Sequence, residues 1–171
     1  MCGRFEIDPD IFDLKILTGK TGLSLQYKTG EIFPCDTAPV LQGNGQIAFG
    51  ASMIWGFPKW DGKGVIFNAR SETAHEKPMF RFPLKQHRVA KYLFTHPSEN
   101  ILWLAGIAAP FGHKWHFTIL TTGANDSMAP YHSRMPVLLQ QNELDEWING
   151  KDFSCLLERT PHRLSAREIL S

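Results

Sequence analysis

The sequence predicts an α+β fold, in which a mostly antiparallel, curved sheet of barrel or sandwich shape carries short flanking helices. Three observations lead to this class. Stretches rich in β-branched and aromatic residues recur along the chain, helical patterns are short, and strands and helices do not alternate as they would around a parallel sheet. The length of 171 residues suits one domain, which we expect to span residues 1–171.

Each element follows from a local pattern along the chain. Apolar periodicity between polar caps predicts helices, and Asp8 and Gly19 supply such caps around the first one. Gly43-Asn44-Gly45 is a turn sequence between two β-rich runs, which indicates a hairpin. The predicted helices are residues 9–18, 71–81, 142–149 and 153–159. The predicted strands are residues 37–41, 46–55, 65–67, 88–95, 101–109, 116–122 and 137–139.

Composition excludes several classes of protein. With 43% hydrophobic residues, 12% aromatic residues and a net charge of +1, the chain has none of the signatures of disorder. It contains no apolar run of the roughly 18 residues that span a membrane, and its acidic start does not resemble a signal peptide, so we expect a cytoplasmic protein. Three cysteines at irregular spacing (Cys2, Cys35 and Cys155) build neither a disulfide framework nor a metal pattern, and the sequence implies no cofactor and no metal.

Cys2 is the most informative single residue. Removal of Met1 would leave it at the N-terminus, with a thiol and an α-amine on adjacent carbons. The ordinary pKa values of these groups, about 8.5 and about 7.7–8.0, give both a reactive fraction at neutral pH. Such a residue can capture an aldehyde as a thiazolidine or take part in acyl transfer. An incidental or buried cysteine at a chain terminus is the alternative, and we expect Cys35 and Cys155 to be structural.

Two further segments carry groups suited to carbonyl or phosphate chemistry. Asn68 and Arg70 follow an apolar strand at alternate positions, so their side chains would point the same way, and arginine offers a two-pronged donor to anionic oxygens. A strand-to-helix turn with Arg70 paired to an acid is the plainer alternative. His132 and Arg134 alternate before Pro136, and histidine can exchange protons near neutral pH.

Two stretches, residues 55–60 and residues 79–82, interleave aromatic rings with basic residues. This interleaved pattern is typical of surfaces that stack the bases of single-stranded nucleic acid and bind its phosphates. Core aromatics with basic residues at the rim explain each stretch alone equally well.

Together and in this order, these segments resemble the SRAP family (SOS response-associated peptidases), whose members act as abasic-site processing proteins. The resemblance extends from residue 1 to about residue 140. The segments that carry it are Met1-Cys2-Gly3-Arg4-Phe5, Ala38-Pro39, Trp55-Gly56-Phe57-Pro58 with Trp60, Asn68-Ala69-Arg70-Ser71-Glu72-Thr73, Lys77-Pro78-Met79-Phe80-Arg81, Thr121-Thr122 and His132-Ser133-Arg134-Met135-Pro136-Val137.

The resemblance implies a mixed α/β fold with a barrel-like sheet and a self-processing cysteine that becomes N-terminal. In the family, that cysteine captures the ring-opened aldehyde of an abasic site in single-stranded DNA. The product is a thiazolidine DNA–protein crosslink that shields the lesion in the DNA damage (SOS) response. The expected partner is therefore single-stranded DNA with abasic sites, bound by a monomer that is nucleoid-associated while on DNA.

Carried over residue by residue, the resemblance assigns catalytic roles to three positions. Cys2 would be the nucleophile, Asn68 would orient the sugar or the cysteine, and His132 would move protons. It assigns DNA contacts to a second set. Arg4, Arg70 and Arg134 would hold phosphates, Trp55 and Pro39 would belong to a DNA-stacking wall, and Asp36 would stand beside the phosphate path.

Two positions depart from the family pattern. Asp36 stands where the family usually has asparagine, which places an acid beside the path of the phosphates. Ser98 stands where the family has a catalytic glutamate, so Glu99 or His96 would have to replace that acid. Because proton transfer typically contributes about 10²–10⁴-fold to a rate, this loss would slow crosslinking without abolishing DNA binding.

Three functions are consistent with these residues. The leading one is an abasic-site sensor that crosslinks to DNA through Cys2, with autopeptidase or lyase chemistry. The second is a degenerate single-stranded DNA-binding module without efficient covalent chemistry, which the residues Asp36 and Ser98 favour. The third is a cysteine peptidase that uses Cys2 and His132.

Overall fold

The structure is a computed structural model that describes residues 3–8, 26–43, 48–73, 92–99, 101–150 and 152–169. Its strands are β1 Phe5–Ile7, β2 Gly30–Ile32, β3 Thr37–Gly43, β4 Ala48–Trp55, β5 Phe57–Pro58, β6 Val65–Ile66, β7 Asn68–Arg70, β8 Tyr92–Thr95, β9 Trp103–Leu104, β10 Gly106–Phe111, β11 Lys114–Gly123, β12 Arg134–Pro136, β13 Leu138–Leu139 and β14 Ser165–Glu168. Its helices are α1 Leu144–Asn149, α2 Ser154–Glu158 and the 3-10 helices Ser71–Thr73 and Gln141–Glu143. No helix in these ranges is long and apolar enough to cross a lipid bilayer.

Strand β11 is the centre of the main sheet. It is ten residues long, and its side chains, most of them apolar or β-branched, are buried without interruption from His116 to Thr121. Antiparallel β10 and β12 pair with successive parts of one edge, and parallel β4 and β7 pair with successive parts of the other. Strand β3 pairs with β4 and completes a six-stranded sheet. A strand buried on both faces has no reason to alternate apolar and polar residues, which explains its composition.

Two clusters of buried side chains cover opposite faces of β11. Ile119 and Leu120 are neighbours in a strand and therefore point to opposite faces. The first cluster, called the Trp55 cluster, contains Ile7, Ile32, Ala38, Met53, Trp55, Phe117 and Ile119. The second, called the Leu120 cluster, contains Ala69, Ala105, Leu120, Val137, Leu139, Leu156 and Leu157, with side chains of α1 and α2 packed on it.

The predicted α+β class is confirmed, as is the hairpin of residues 37–41 and 46–55. Its strands β3 and β4 pair antiparallel from Thr37 opposite Ile54 to Gly43 opposite Ala48. The barrel-like shape is wrong for the described strands, which form one six-stranded sheet and four two-stranded pairs. The main sheet stays open because β3 and β10, at its two ends, do not pair with each other.

The remaining predicted elements differ from the structure mainly at their ends. Of the predicted strands, residues 65–67, 88–95, 101–109, 116–122 and 137–139 correspond to β6, β8, β9 with β10, β11 and β13. The helices predicted near the C-terminus correspond to the second 3-10 helix with α1, and to α2. Six observed strands lie outside the predicted strands: β1, β2, β5, β7, β12 and β14. The helix predicted for residues 9–18 lies outside the described residues, and of residues 71–81 only the 3-10 helix Ser71–Thr73 is described.

Candidate functional site

Strand β7 places Asn68 and Arg70 on one side of the main sheet. It runs parallel to β11, with Asn68 opposite Ile119 and Arg70 opposite Thr121. Ala69 between them is buried in the Leu120 cluster, so alternation directs Asn68 and Arg70 to the face of the Trp55 cluster. Arg70 is exposed and Asn68 is half-buried. The structure therefore agrees with the expectation that the two side chains point the same way.

The first described strand is held against the segment that leads into β7. Phe5 packs on the ring of Trp55 with centroids 5.0 Å apart, and Trp55 packs edge-on against Phe67 at 5.6 Å. The indole Nε1–H of Trp55 donates to the Phe67 carbonyl at 2.8 Å. Because Phe67 precedes Asn68, Trp55 links β1 to the residue that leads into β7. Cys2 itself lies outside the described residues.

His132 lies in the turn that leads into β12. The backbone N–H of Arg134 donates to His132 Nδ1 at 2.9 Å, which assigns the proton of the neutral ring to Nε2. The Arg134 carbonyl lies 3.1 Å from the same Nδ1 and can accept from it once the ring is protonated. Partial burial lowers the pKa of His132 below its ordinary value, so the ring is mostly neutral at pH 7.

Arg134 forms a two-pronged ion pair with Glu72, which lies in the 3-10 helix after β7. Arg134 Nη2 donates to Glu72 Oε2 at 2.8 Å, and Nη1 donates to Oε1. Nη2 also donates to the Thr121 carbonyl. The hydrogen bond from Arg134 lowers the pKa of Glu72 to about 2. The phosphate contact predicted for Arg134 does not fit this geometry, because the side chain is 19% exposed and both terminal nitrogens already have acceptors.

The two tryptophans of the Trp-Gly-Phe-Pro-x-Trp segment have opposite environments. Trp55 is 0% exposed, which does not fit the predicted DNA-stacking role, because no face of its ring is open to a base. Trp60 is 99% exposed in the loop between β5 and β6. Sequence reasoning included Trp60 in the family motif but chose Trp55 as the DNA contact. The signal in favour of Trp60 is the turn sequence Asp61-Gly62-Lys63-Gly64 that follows it, which offers a large ring nothing to pack against.

Asp36 closes the turn between β2 and β3. Its carboxylate accepts from Lys28 Nζ at 2.6 Å and from the Phe33 backbone N–H at 2.8 Å. These hydrogen bonds, led by the one from Lys28, lower the pKa of Asp36. The acid predicted to stand beside the phosphate path is therefore accompanied by a lysine, which reduces its repulsion of an anion.

Arg4 lies next to β1 and Pro39 lies within β3, and both strands contribute residues to the Trp55 cluster. Arg4 precedes β1, and its guanidinium lies 3.4 Å from Glu31 and 6.0 Å from the centre of the Phe33 ring. Pro39 is half-buried in β3, opposite Ser52. Their predicted DNA contacts stay predictions.

His96 holds the turn that contains Ser98. His96 Nδ1 accepts from the backbone N–H groups of Ser98 at 3.2 Å and Glu99 at 2.9 Å. The turn follows β8, which pairs with β14 in a sheet of its own, whereas Asn68 belongs to the main sheet. His96 therefore acts as the cap of this turn, and its Nδ1 is already occupied.

Two of the three cysteines lie in the described ranges. Cys35 and Cys155 have free, exposed thiols, so the structural role expected for them is not packing in the core. In the part of the chain that the structure describes, no group of three or more His, Cys, Asp or Glu side chains is arranged to hold a metal ion.

The fold and the site together define a class of protein: an open mixed sheet in which the Asn-Ala-Arg strand and the strand after the histidine turn both pair with β11, and the first strand packs on Trp55. The chain belongs to the SRAP family, described as SOS response associated peptidase, whose family model matches residues 1–91 and 86–169. This match confirms the resemblance seen in the sequence motifs.

Several curated relatives of the chain share one name, abasic site processing protein. YoqW of Bacillus subtilis (strain 168) is 28% identical over 186 residues, which cover 89% of this chain and 82% of YoqW. YoaM of the same organism is 29% identical, with 90% of this chain and 82% of YoaM covered. YedK of Escherichia coli (strain K12) is 26% identical, with 90% of this chain and 84% of YedK covered.

Two solved structures are similar to the chain in fold. A protein from Bacteroides thetaiotaomicron superposes with a TM-score of 0.65 at 22% identity, over 82% of this chain and 78% of that one. A phage-related protein from Bordetella bronchiseptica gives a TM-score of 0.65 at 18% identity, over 99% of this chain and 95% of that one. At these identities the likeness establishes the fold alone.

Proposed function

We propose that this protein processes abasic sites in single-stranded DNA and joins the aldehyde form of the lesion to Cys2, as part of the DNA damage (SOS) response. The observation that carries the proposal is the contact of Trp55 with both Phe5 and Phe67, which packs the strand after Cys2 on the same side chain that contacts the residue before Asn68. The shared name of three curated relatives supports the abasic-site substrate.

The reaction requires removal of Met1. The α-amine of Cys2 then adds to the aldehyde carbon, and loss of one water gives an imine. The Cys2 sulfur adds to the imine carbon, the thiol proton passes to the nitrogen, and a thiazolidine ring closes. His132 suits the proton transfers, because it is mostly neutral at pH 7 and its Nδ1 has a backbone partner in both charge states.

The DNA contacts in this proposal follow exposure and charge. Arg70 is exposed and lies on the same side of the sheet as Asn68, so it suits a phosphate next to the lesion. The fully exposed ring of Trp60 takes the base-stacking role first predicted for Trp55. Arg4 and Pro39 keep the phosphate and stacking roles that the family resemblance implies.

A second candidate is a single-stranded DNA-binding module with little covalent chemistry. One observation favours it: His96, one of the two residues that would have to replace the glutamate expected at Ser98, is already used as a turn cap. Such a protein would keep the DNA contacts proposed for Arg70 and Trp60 but would close the thiazolidine slowly.

One experiment separates these functions. The purified protein without Met1 is incubated with single-stranded DNA that carries one abasic site, and heat-stable adducts are resolved on a denaturing gel, with Cys2→Ala as the matched control. We expect an adduct that the control lacks. DNA retention that falls with salt, without an adduct, would support the second candidate. Neither adduct nor retention would favour the peptidase that uses Cys2 and His132.

A further inference from the structure

We propose that Glu72 and Arg134 are positioning residues that hold the His132 turn against the Asn68–Arg70 strand. This inference rests on the proposed function, because it concerns the same site. It replaces the phosphate contact predicted for Arg134 with a role inside the protein.

The ion pair joins two segments that are distant in sequence. Glu72 lies two residues after Arg70, and Arg134 lies two residues after His132. The two-pronged contact between them therefore fixes the end of one segment against the start of the other. The two residues lie 62 positions apart, and their side-chain contact adds to the backbone pairing of β7 and β12 with the same strand, β11.

Further hydrogen bonds extend the pair to the groups on each side. Arg134 Nη2 donates to the Thr121 carbonyl, and Thr121 Oγ1 donates to the Ala69 carbonyl at 3.0 Å. On the other side, the backbone N–H of Arg134 donates to His132 Nδ1. A continuous set of contacts thus runs from the backbone between Asn68 and Arg70 to the imidazole ring.

The partners of Arg134 argue against a role in holding DNA. A phosphate that bound Arg134 would have to displace the Glu72 carboxylate, which neutralises the guanidinium and is its geometric match. The two arginines also differ in exposure, because Arg70 is exposed at the end of its strand and the Arg134 side chain is 19% exposed.

Proton transfer depends on such positioning. A general acid or base must lie within hydrogen-bond reach of the atom it serves, and a misplacement of about 1 Å can cost about 10²-fold in rate. The pair contributes by keeping His132 at a fixed distance from the strand that holds Asn68, without touching the substrate.

The chain offers a matched control for this pair. Arg159 donates to both carboxylate oxygens of Glu143 and also to the Leu138 carbonyl, at 2.8 Å for the last contact. It therefore has the same two-pronged geometry and the same additional backbone acceptor, but it joins α2 to the 3-10 helix Gln141–Glu143. Loss of Glu143 tests the structural cost of removing such a pair elsewhere.

The test compares Glu72→Gln, Arg134→Met, the double variant and the control Glu143→Gln. We expect Glu72→Gln and Arg134→Met each to slow adduct formation about 10–100-fold, with single-stranded DNA affinity within about twofold of the wild type. The double variant should be no slower than the slower single variant, because both changes remove one interaction. Glu143→Gln should keep the wild-type adduct rate.

Arg70→Ala, for comparison, should weaken binding of single-stranded DNA of every sequence and lower the slope of log affinity against log salt concentration by about 1.

A second readout does not depend on the adduct. The imidazole ¹⁵N signals of His132 report which ring nitrogen carries the proton. We expect the Nε2–H form in the wild type and in Glu143→Gln, and a mixed or shifted pattern in Glu72→Gln.

Several results would overturn the inference: an unchanged adduct rate in Glu72→Gln, an equal loss in Glu143→Gln, or loss of DNA affinity in Arg134→Met that matches Arg70→Ala. If the wild type forms no adduct, the proposed function fails and the ¹⁵N signals decide. A His132 pattern that Glu72→Gln alters and Glu143→Gln does not would then still support the positioning role, and identical patterns would contradict it.

Discussion

At the scale of single residues, the environment of each side chain assigns roles that residue type alone does not. Trp55 and Trp60 belong to one short motif, yet the first is buried between Phe5 and Phe67 and the second is in solvent. Arg70 and Arg134 are both predicted phosphate contacts, yet Arg70 is exposed whereas the Arg134 side chain is 19% exposed and bound to Glu72. Sequence reasoning can select these residue types, but burial and long-range pairing decide which side chains lie open to solvent.

The two tryptophans give the first prediction. Trp55→Ala should lower the free energy of unfolding by about 3–5 kcal/mol, because it removes a large ring from the core. Trp60→Ala should change it by less than about 0.5 kcal/mol. Trp60→Ala should instead weaken single-stranded DNA binding by about 1–3 kcal/mol, the usual value of one stacked base. Chemical denaturation and fluorescence anisotropy measure the two effects, and wild-type DNA affinity in Trp60→Ala would refute the stacking role.

The ion pair of Glu72 gives a prediction on pH. Arg134 lowers the pKa of Glu72 from 4.5 to about 2 in the folded protein, so the stability that this carboxylate contributes is complete above pH 4.5. It is lost as the pH falls from 4.5 towards 2. Because Glu72 is partly exposed, solvent screening limits the effect to about 0.5–1 kcal/mol.

Denaturation at pH 7 and pH 3 tests this expectation. Glu72→Gln should lose less stability than the wild type between the two pH values, because glutamine does not titrate. Glu168→Gln, which changes an exposed carboxylate on β14, serves as the control. An equal pH dependence in the wild type and Glu72→Gln would show that the pair adds nothing to stability.

At the scale of elements, local sequence patterns predict the strands and helices that are formed by local contacts. The β3–β4 hairpin follows from two β-rich runs around a glycine turn, and the helices near the C-terminus follow from short apolar periods. The parallel pairing of β7 with β11 joins residues about fifty positions apart, so no local pattern contains it. Strand β14 is short, polar and exposed, which leaves no hydrophobic signal to predict it.

Gly56 connects β4 to β5 and gives a prediction on stability. Its φ of +104° favours glycine, its N–H donates to the Phe117 carbonyl at 2.7 Å, and an added Cβ would lie 3.2 Å from the Val65 side chain. We expect Gly56→Ala to lower the free energy of unfolding by about 1–3 kcal/mol. Gly62→Ala is the control, because Gly62 also has a positive φ but has open space around it. An equal or greater loss in Gly62→Ala would contradict the role of crowding at Gly56.

At the scale of the whole molecule, helices cover one face of the main sheet, and Asn68 and Arg70 of the candidate site lie on the side of the other face. The Leu120 cluster covers one face and is closed by side chains of α1 and α2. The Trp55 cluster covers the other face and holds β1 near β7, on the side to which Asn68 and Arg70 point. The family motifs predict the components of this site, and pairing with β11 explains how the Asn68–Arg70 strand and the strand after His132 come together although they are distant in sequence.

The most direct test of this account is the intact mass of the DNA conjugate, with the modified residue then located by fragmentation. The account predicts protein without Met1 joined to one abasic DNA strand with loss of one water, the modification lying on Cys2. A protein that retains Met1 and forms no conjugate, or a conjugate formed through another residue, would contradict it.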